Sequence, residues 1–235
     1  RGYSDIIRNE LNSFRPKVWT ELIEKQVDNK DNLKVLDIGT GPGFFSIILS
    51  KRNHNVIGID CTRKMIDEAK MNAEVANVNP KFMVMDSHEL EFEDDTFDLV
   101  LSRNVTWTLV DPIKSYKEWM RVLKPNGTLL IFDANWNLHK YDKSILKEVE
   151  EREIKFRNKY GNPYDTYEGP DEGKDIGFKL PLEDKIRPSW DKAVLDDIGF
   201  YDVNYNLDIT EVVWDEKEQL LYGATPMFMV SAKKL

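Results

Sequence analysis

A single cysteine, Cys61, stands in the whole chain, so no intrachain disulfide and no cluster of metal-ligating cysteines can form. Histidine is nearly as scarce. His54, His88 and His139 are scattered, and no H-E-x-x-H spacing makes a metal site of them. No apolar run approaches the ~20 residues of a membrane-spanning helix. The chain has no G-x-S-x-G nucleophile elbow. No lysine follows its glycine cluster in the manner of a Walker A loop. Basic residues are outnumbered, with 33 Lys and Arg against 42 Asp and Glu. The resulting net charge of −9 repels a polyanion, so nucleic acid is not expected as the main partner. A reducing, cytoplasmic setting is the default expectation. The start, Arg1-Gly2-Tyr3-Ser4-Asp5, lacks both an initiator Met and an apolar core; it reads as an interrupted start and not as a signal peptide.

What is present is enough for one large α/β domain, or a domain with a modest cap: 235 residues, 41% of them apolar. Tyr3 to about Val27 reads as helix, broken or restarted at Pro16, and a polar connector follows over residues 28–32. An alternation then begins. Strands are expected at Leu33–Ile38, Val56–Asp60, Phe82–Met85, Phe97–Ser102 and Thr128–Asp133. Helices are expected at Phe44–Arg52, Thr62–Ala76 and Asp111–Leu123, with Pro125-Asn126-Gly127 turning the chain after the last. Trp190–Ile198, Phe200–Leu207 and Met227–Ala232 add a helix and two closing strands. Such alternation predicts a doubly wound, mostly parallel sheet with helices on both faces.

One stretch breaks the pattern. Roughly fifty residues separate the fifth strand from the helix at Trp190, against ordinary connections of about 2–6 residues. Its first part, Lys143–Tyr160, reads as a charged helix, and residues 161–188 are rich in Gly, Pro, Asp and Tyr. Long insertions at the carboxyl end of a parallel sheet sit where ligands bind. Residues 135–189 are therefore expected to form a cap. Residues 33–134 and 190–235 form the core, and residues 1–32 are a helical segment closing the site. Trp136, Tyr141, Tyr160, Tyr164 and Tyr167 are candidate walls for an acceptor pocket.

The strongest motif is Val35-Leu36-Asp37-Ile38-Gly39-Thr40-Gly41-Pro42-Gly43. Its glycines suit a strand-to-helix turn that a ligand approaches closely. A dinucleotide-binding turn would need a glycine where Phe44 stands. Asp37, two residues before the first glycine, would repel a pyrophosphate but suits an ammonium group, met directly or through water. Asp60, 21 residues after Gly39 at the end of the second strand, can accept two hydrogen bonds from a ribose diol. Asp86 ends the third strand, with Ser87 after it.

This ordered set resembles the class I S-adenosylmethionine-dependent methyltransferases, in particular the small-molecule group that includes the ubiquinone and menaquinone C-methyltransferases. The resemblance implies a Rossmann-like fold with an antiparallel last strand. It also implies S-adenosyl-L-methionine as cofactor, S-adenosyl-L-homocysteine as product, and a small-molecule methyl acceptor. Asp37, Gly39, Thr40, Gly41 and Gly43 then hold the methionine part of the cofactor, and Asp60 the ribose. Asp86 and the backbone of Ser87 meet the adenine, with Cys61 and Met65 touching it. Tyr3 and the first helix shelter the site, as N-terminal segments often do in this family.

The fourth strand ends in Ser102-Arg103-Asn104-Val105-Thr106-Trp107, at the place that faces the methyl group in this fold. Many relatives have small or His-containing sequences here, so this segment departs from the family. The Asn–aromatic spacing is similar to the N-P-P-Y element of amino-group methyltransferases, although Val105 and Thr106 replace both prolines. Asn104 is thus a candidate to position the acceptor, Trp107 to wall the transfer site, and Arg103 to meet the cofactor. Where the acceptor needs a base, His139, Asp133 and Tyr164 are candidates. Two other readings stay open: a cofactor-binding protein of the same fold without transfer activity, and a nicotinamide oxidoreductase, which Asp37 and Phe44 disfavour.

Overall fold

A computed structural model describes residues 2–28, 30–162 and 180–235, with backbone alone for residues 2 and 3. Two helices open the chain, α1 (Gly2–Leu11) and α2 (Arg15–Gln26), and Pro16 lies in the first turn of α2, where its missing N–H is no loss. Then come β1 (Lys34–Ile38), α3 (Phe44–Ser50), β2 (Asn55–Asp60), α4 (Arg63–Val75), β3 (Lys81–Val84) and β4 (Phe97–Arg103). A 3₁₀ turn at Thr106–Thr108 leads to α5 (Pro112–Val122) and β5 (Leu123–Asp133). A second 3₁₀ turn (Leu138–Lys140) precedes α6 (Lys143–Tyr160). The chain closes with α7 (Ser189–Ile198), β6 (Phe200–Asn206), α8 (Thr210–Val213), α9 (Glu216–Tyr222) and β7 (Phe228–Lys234).

The strands form one seven-stranded sheet in the order β3-β2-β1-β4-β5-β7-β6. β1 pairs in parallel with both β2 and β4, while β7 runs antiparallel to β5 and β6. Buried side chains cover both faces, which is why the parallel strands read as near-continuous apolar runs. On one face Leu36, Ile38, Val100, Leu129 and Ile131 pack with Tyr116 and Trp119 of α5 and Leu195 of α7. On the other, Val35, Leu99, Leu101, Leu130 and Phe132 pack with Trp19 and Ile23 of α2 and with Phe44, Phe45 and Ile48 of α3.

One expectation needs correction. Pro125-Asn126-Gly127 does not turn the chain out of a helix; α5 already stops at Val122, and the three residues lie inside β5. Leu123 pairs with Phe97, the register shifts before Leu99, and Asn126 takes a left-handed backbone (φ 62°) that absorbs the irregularity. Between Leu207 and Met227, where the sequence pattern named no element, the chain carries α8 and α9. The strand order reverses between β1 and β4, so the carboxyl ends of these strands open a crevice at the switch point.

Candidate functional site

The loop after β1 is built around left-handed glycines. Gly39 has φ 62°, and a Cβ there would stand 2.3 Å from Cγ2 of Val105, so only glycine lets the loops after β1 and β4 approach this closely. Beneath the loop lies Asp37, almost wholly buried. Its Oδ2 accepts hydrogen bonds from the Thr40 hydroxyl (2.6 Å), the Ser46 hydroxyl (2.8 Å) and the Ser46 backbone N–H (3.0 Å). Burial pushes the Asp37 carboxyl up to about 6 against the pull of these donors and of the Arg103 charge.

Asp60 ends β2 and ties the same loop from the other side. Its carboxylate accepts the Gly41 N–H (3.1 Å) and the Thr62 N–H (2.8 Å). Past β3, Asp86 accepts the backbone N–H of His88 (2.9 Å) and its Nδ1–H (2.6 Å), while His88 Nε2 accepts the Asp111 N–H (3.3 Å). The His88 hydrogen bonds hold the Asp86 carboxyl below the usual carboxylate range. α5 straps this loop down: the Trp119 indole donates to the Ser87 carbonyl (3.1 Å), and Arg121 donates to the carbonyls of Leu90 (2.9 Å) and Phe92 (2.7 Å).

The end of β4 supplies the last wall. Arg103 donates to Glu10 of α1 at 2.9 Å, and its guanidinium lies over the rings of Phe44 (4.5 Å), Phe45 (5.3 Å) and Trp19 (5.6 Å). Asn104 has a left-handed backbone (φ 57°), and its N–H donates to the Phe132 carbonyl (2.9 Å). Its side-chain Oδ1 is buried with no hydrogen-bond partner among the described residues.

A cavity of about 360 Å³ collects most of these groups. Gly39, Gly41, Asp60, Cys61, Met65, Asp86, Ser87, Arg103 and Asn104 all line it. Asp37, Thr40 and Gly43 stand behind that surface as its supports; Gly43 is the left-handed N-cap of α3. Tyr3 belongs to α1, and its side chain lies outside what is described. Trp107 and His139 do not line the cavity. The Trp107 indole donates to the Asn104 carbonyl (3.1 Å), and His139 Nδ1 meets the Trp136 carbonyl (3.1 Å).

Of the candidate cap aromatics, the described ones, Trp136, Tyr141 and Tyr160, do not line the cavity either. Trp136 packs on Trp214 and Tyr222 with ring centroids 6.2 and 5.9 Å away, Tyr160 packs on Phe156, and Tyr141 donates to Glu183 (2.9 Å). Tyr164 and Tyr167 lie outside the described residues. Asp133, a candidate base, is fully buried and takes five hydrogen bonds, from Thr106, Trp107, Ala134, Trp136 and Arg187, so it has no free lone pair facing a substrate. Among the described residues no three His, Cys, Asp or Glu side chains gather as a metal site, and no helix is long and apolar enough to cross a membrane.

The family model described as a methyltransferase domain matches residues 29–176. The chain belongs to this family. The methyltransferase domain is 32% identical over 135 residues to demethylmenaquinone methyltransferase of Staphylococcus aureus, covering 56% of this chain and 55% of that one. It is 33% identical over 113 residues to the uncharacterized methyltransferase YcgJ of Bacillus subtilis, covering 48% and 45%. The chain thus spans about half the length of the curated relatives it matches. Its fold is shared with a putative S-adenosyl-L-methionine-dependent methyltransferase of Methanococcus maripaludis (TM-score 0.64, 20% identity, 99% of this chain and 90% of that one). These likenesses and the strand order make the domain a class I S-adenosylmethionine-dependent methyltransferase domain.

The methyltransferase cavity also takes in Ile59, Thr62, Met85, Val105, Thr108 and Leu109, which sequence reasoning did not single out. Val105 is among them because it packs against Gly39, a contact with no spacing to read in the sequence. The rest reach the cavity through the tertiary path of their loops.

Proposed function

We propose that this domain transfers the methyl group of S-adenosylmethionine to a small-molecule acceptor that Asn104 positions at the end of β4. The observation that carries the reading is the convergence of four strand ends on one cavity, one of whose lining residues, Asn104, has a buried carboxamide oxygen without a partner among the described residues. A buried carbonyl without a partner costs about 1–3 kcal/mol, and such groups persist where a ligand completes them.

The residues present suit the cofactor. Asp60 is placed for the ribose hydroxyls, Asp86 and Ser87 for the adenine edge, and Met65 with Cys61 for its face. Gly39 and Gly41 leave room for the methionine part; Asp37, behind that surface, would attract its ammonium, and Arg103 would suit its carboxylate. S-adenosylmethionine supplies a methyl group already activated on a sulfonium. The chain therefore contributes alignment and exclusion of water. Asn104 would receive an N–H or O–H of the acceptor and so orient its nucleophilic atom toward the methyl group. Residues 135–189 serve as the cap over the acceptor, and residues 1–32 shelter the cofactor through the Glu10–Arg103 contact.

A metabolite screen read by S-adenosylhomocysteine release tests the activity and finds the acceptor. Asn104→Ala is expected to lower the transfer rate at least tenfold while S-adenosylhomocysteine affinity stays within about twofold, because a tenfold rate loss corresponds to about 1.4 kcal/mol, within the worth of one oriented hydrogen bond. Transfer at the unaltered rate would remove Asn104 from the acceptor site.

A further inference from the structure

The inserted segment is closed at its neck. Asn135 receives the Arg187 N–H on its Oδ1 (3.1 Å) and donates its Nδ2–H to the Arg187 carbonyl (2.9 Å), so the two ends of the insertion are tied together by both polar atoms of one side chain. The Arg187 side chain then runs inward, where only about 1% of it is exposed. Its Nε and Nη2 both donate to Asp191 of α7 at 2.8 Å. Nη1 donates to Asp133 at the end of β5 (3.1 Å), and Nη2 also meets the Thr106 hydroxyl (2.5 Å). The Thr106 hydroxyl in turn donates to Asp133, and Tyr116 of α5 donates to Asp191 (2.5 Å). The guanidinium rests on the face of Phe228, 5.0 Å away.

Every member is satisfied, and Asp133, Asp191, Thr106 and Tyr116 are all fully buried. A well-packed apolar plug would anchor an insertion with less desolvation, so stability alone does not explain two carboxylates and a guanidinium here. What the network has and a plug lacks is direction. Its far end holds the 3₁₀ turn after β4: Asp133 accepts the Trp107 backbone N–H (2.9 Å) and the Thr106 hydroxyl. The Trp107 indole then fixes the Asn104 carbonyl (3.1 Å), and Asn104 itself stands in the left-handed region with a carboxamide at the cavity. Hydrogen bonds thus run without a gap from the neck of the insertion to the residue proposed to present the acceptor.

We infer that Arg187 is a positioning residue for methyl transfer: it locks the neck of the insertion to Asp133 and Thr106, and through Trp107 sets the conformation of Asn104. The inference rests on the acceptor role of Asn104 in the proposed function. It separates two kinds of variant. Loss of Asp60 or Asp86 disturbs cofactor binding, whereas loss of Arg187 or Thr106 disturbs the acceptor turn and leaves the adenosine end alone.

The test uses Thr106→Val, Arg187→Lys and Arg187→Met. Thr106→Val removes the bridging hydroxyl but leaves both ion pairs, and it covers the case in which Arg187→Met does not fold. Three quantities are read: S-adenosylhomocysteine affinity by calorimetry, the Trp107 indole N–H signal in nitrogen–proton spectra (assigned with Trp107→Phe), and amide exchange over residues 104–109. Thr106→Val and folded Arg187→Met are expected to shift or broaden the Trp107 indole signal and to speed exchange over 104–109 at least tenfold. S-adenosylhomocysteine affinity and exchange in β2 stay within about twofold. Arg187→Lys, which keeps the charge but cannot span three partners, is expected to fall between. With labelled S-adenosylmethionine and a small-molecule extract as the acceptor pool, Thr106→Val lowers the transfer rate without changing the cofactor KM. An unmoved Trp107 signal and unchanged 104–109 exchange in Thr106→Val would overturn the inference, as would an equal loss of cofactor affinity. If those signals move but Asn104→Ala transfers at the full rate, the clamp stands and the acceptor role of Asn104 falls.

Discussion

The two halves of the cavity are held by different kinds of bond. On the cofactor side, between β1 and β3, most ties are local: Asp37 is held by Thr40 and Ser46, Asp60 by Thr62 and Asp86 by His88, and only the Gly41 N–H reaches Asp60 from 19 residues away. On the acceptor side, at the ends of β4 and β5, the ties span the molecule: Thr106 to Arg187, Asp133 to Arg187, Tyr116 to Asp191. A local bond writes itself into a motif, because spacing and residue type are fixed together. A distant bond leaves no spacing to read. The cofactor side can therefore be read from the sequence, whereas the acceptor side cannot.

The largest effect expected on the local side concerns Asp37. Its carboxyl titrates at about 6 in the folded chain against an ordinary 3.8. Between about pH 4 and pH 6 the folded state keeps a proton that the unfolded state has lost, so stability falls as pH rises through this window. The shift corresponds to roughly 3 kcal/mol. Urea unfolding from pH 4 to 7 is expected to show this decline in the unaltered protein and to lose it in Asp37→Asn. Superimposable pH profiles for the two proteins would mean that Asp37 is not the buried proton store. An ammonium placed near Asp37 favours its ionised form, so S-adenosylhomocysteine binding at pH 6 is also expected to release a proton. Calorimetry in buffers of different ionisation enthalpy reads that release.

Asp60 comes next. Asp60→Ala removes the carboxyl acceptor proposed for the ribose and frees the Gly41 N–H, so S-adenosylhomocysteine affinity is expected to fall by about 1.5–3 kcal/mol. Folding stability should change far less, since the side chain is only partly buried. An affinity within twofold of the original would displace the ribose from β2 and break the assignment of that whole side.

The strand alternation and the glycine turn were legible because each depends on patterns within about a dozen residues, whereas the antiparallel closing strand and the roles of Asp60 and Asp86 came through the family resemblance of the ordered set. Asn104 could be placed at the crevice, but its left-handed backbone and its carboxamide without a partner could not be read. Nothing in the sequence marked Arg187, since its partners lie 4, 54 and 81 residues away in the chain. Asp133 looked like a free acid for the same reason. Its five donors become visible only once β5, the 3₁₀ turn and the insertion neck are brought together.

The comparison is sharpened by an element that had a local signal and went unread. α9 begins with Asp215 as N-cap, accepting the N–H groups of Lys217 and Glu218 (both 3.0 Å), and Glu218 reaches back to the Asp215 N–H (3.0 Å). The D-E-K-E spelling is a capping box, so this helix start was present in the sequence. Yet the box is also tied over a distance, because Arg15 of α2 donates to Asp215 (3.2 Å) and to Glu218. If local capping dominates, Asp215→Ala costs about 1 kcal/mol, the usual worth of an N-cap, and the cost of Arg15→Ala is the same with or without Asp215, to within about 0.5 kcal/mol. If the Arg15 contact dominates, the two substitutions are strongly non-additive and the double-mutant coupling exceeds about 1 kcal/mol. The local outcome is expected, because Asp215 is half-exposed and solvent screens its ion pair. Urea unfolding of the two single variants and the double variant decides it. A coupling well above that value would place α9 with the distance-built half of the molecule.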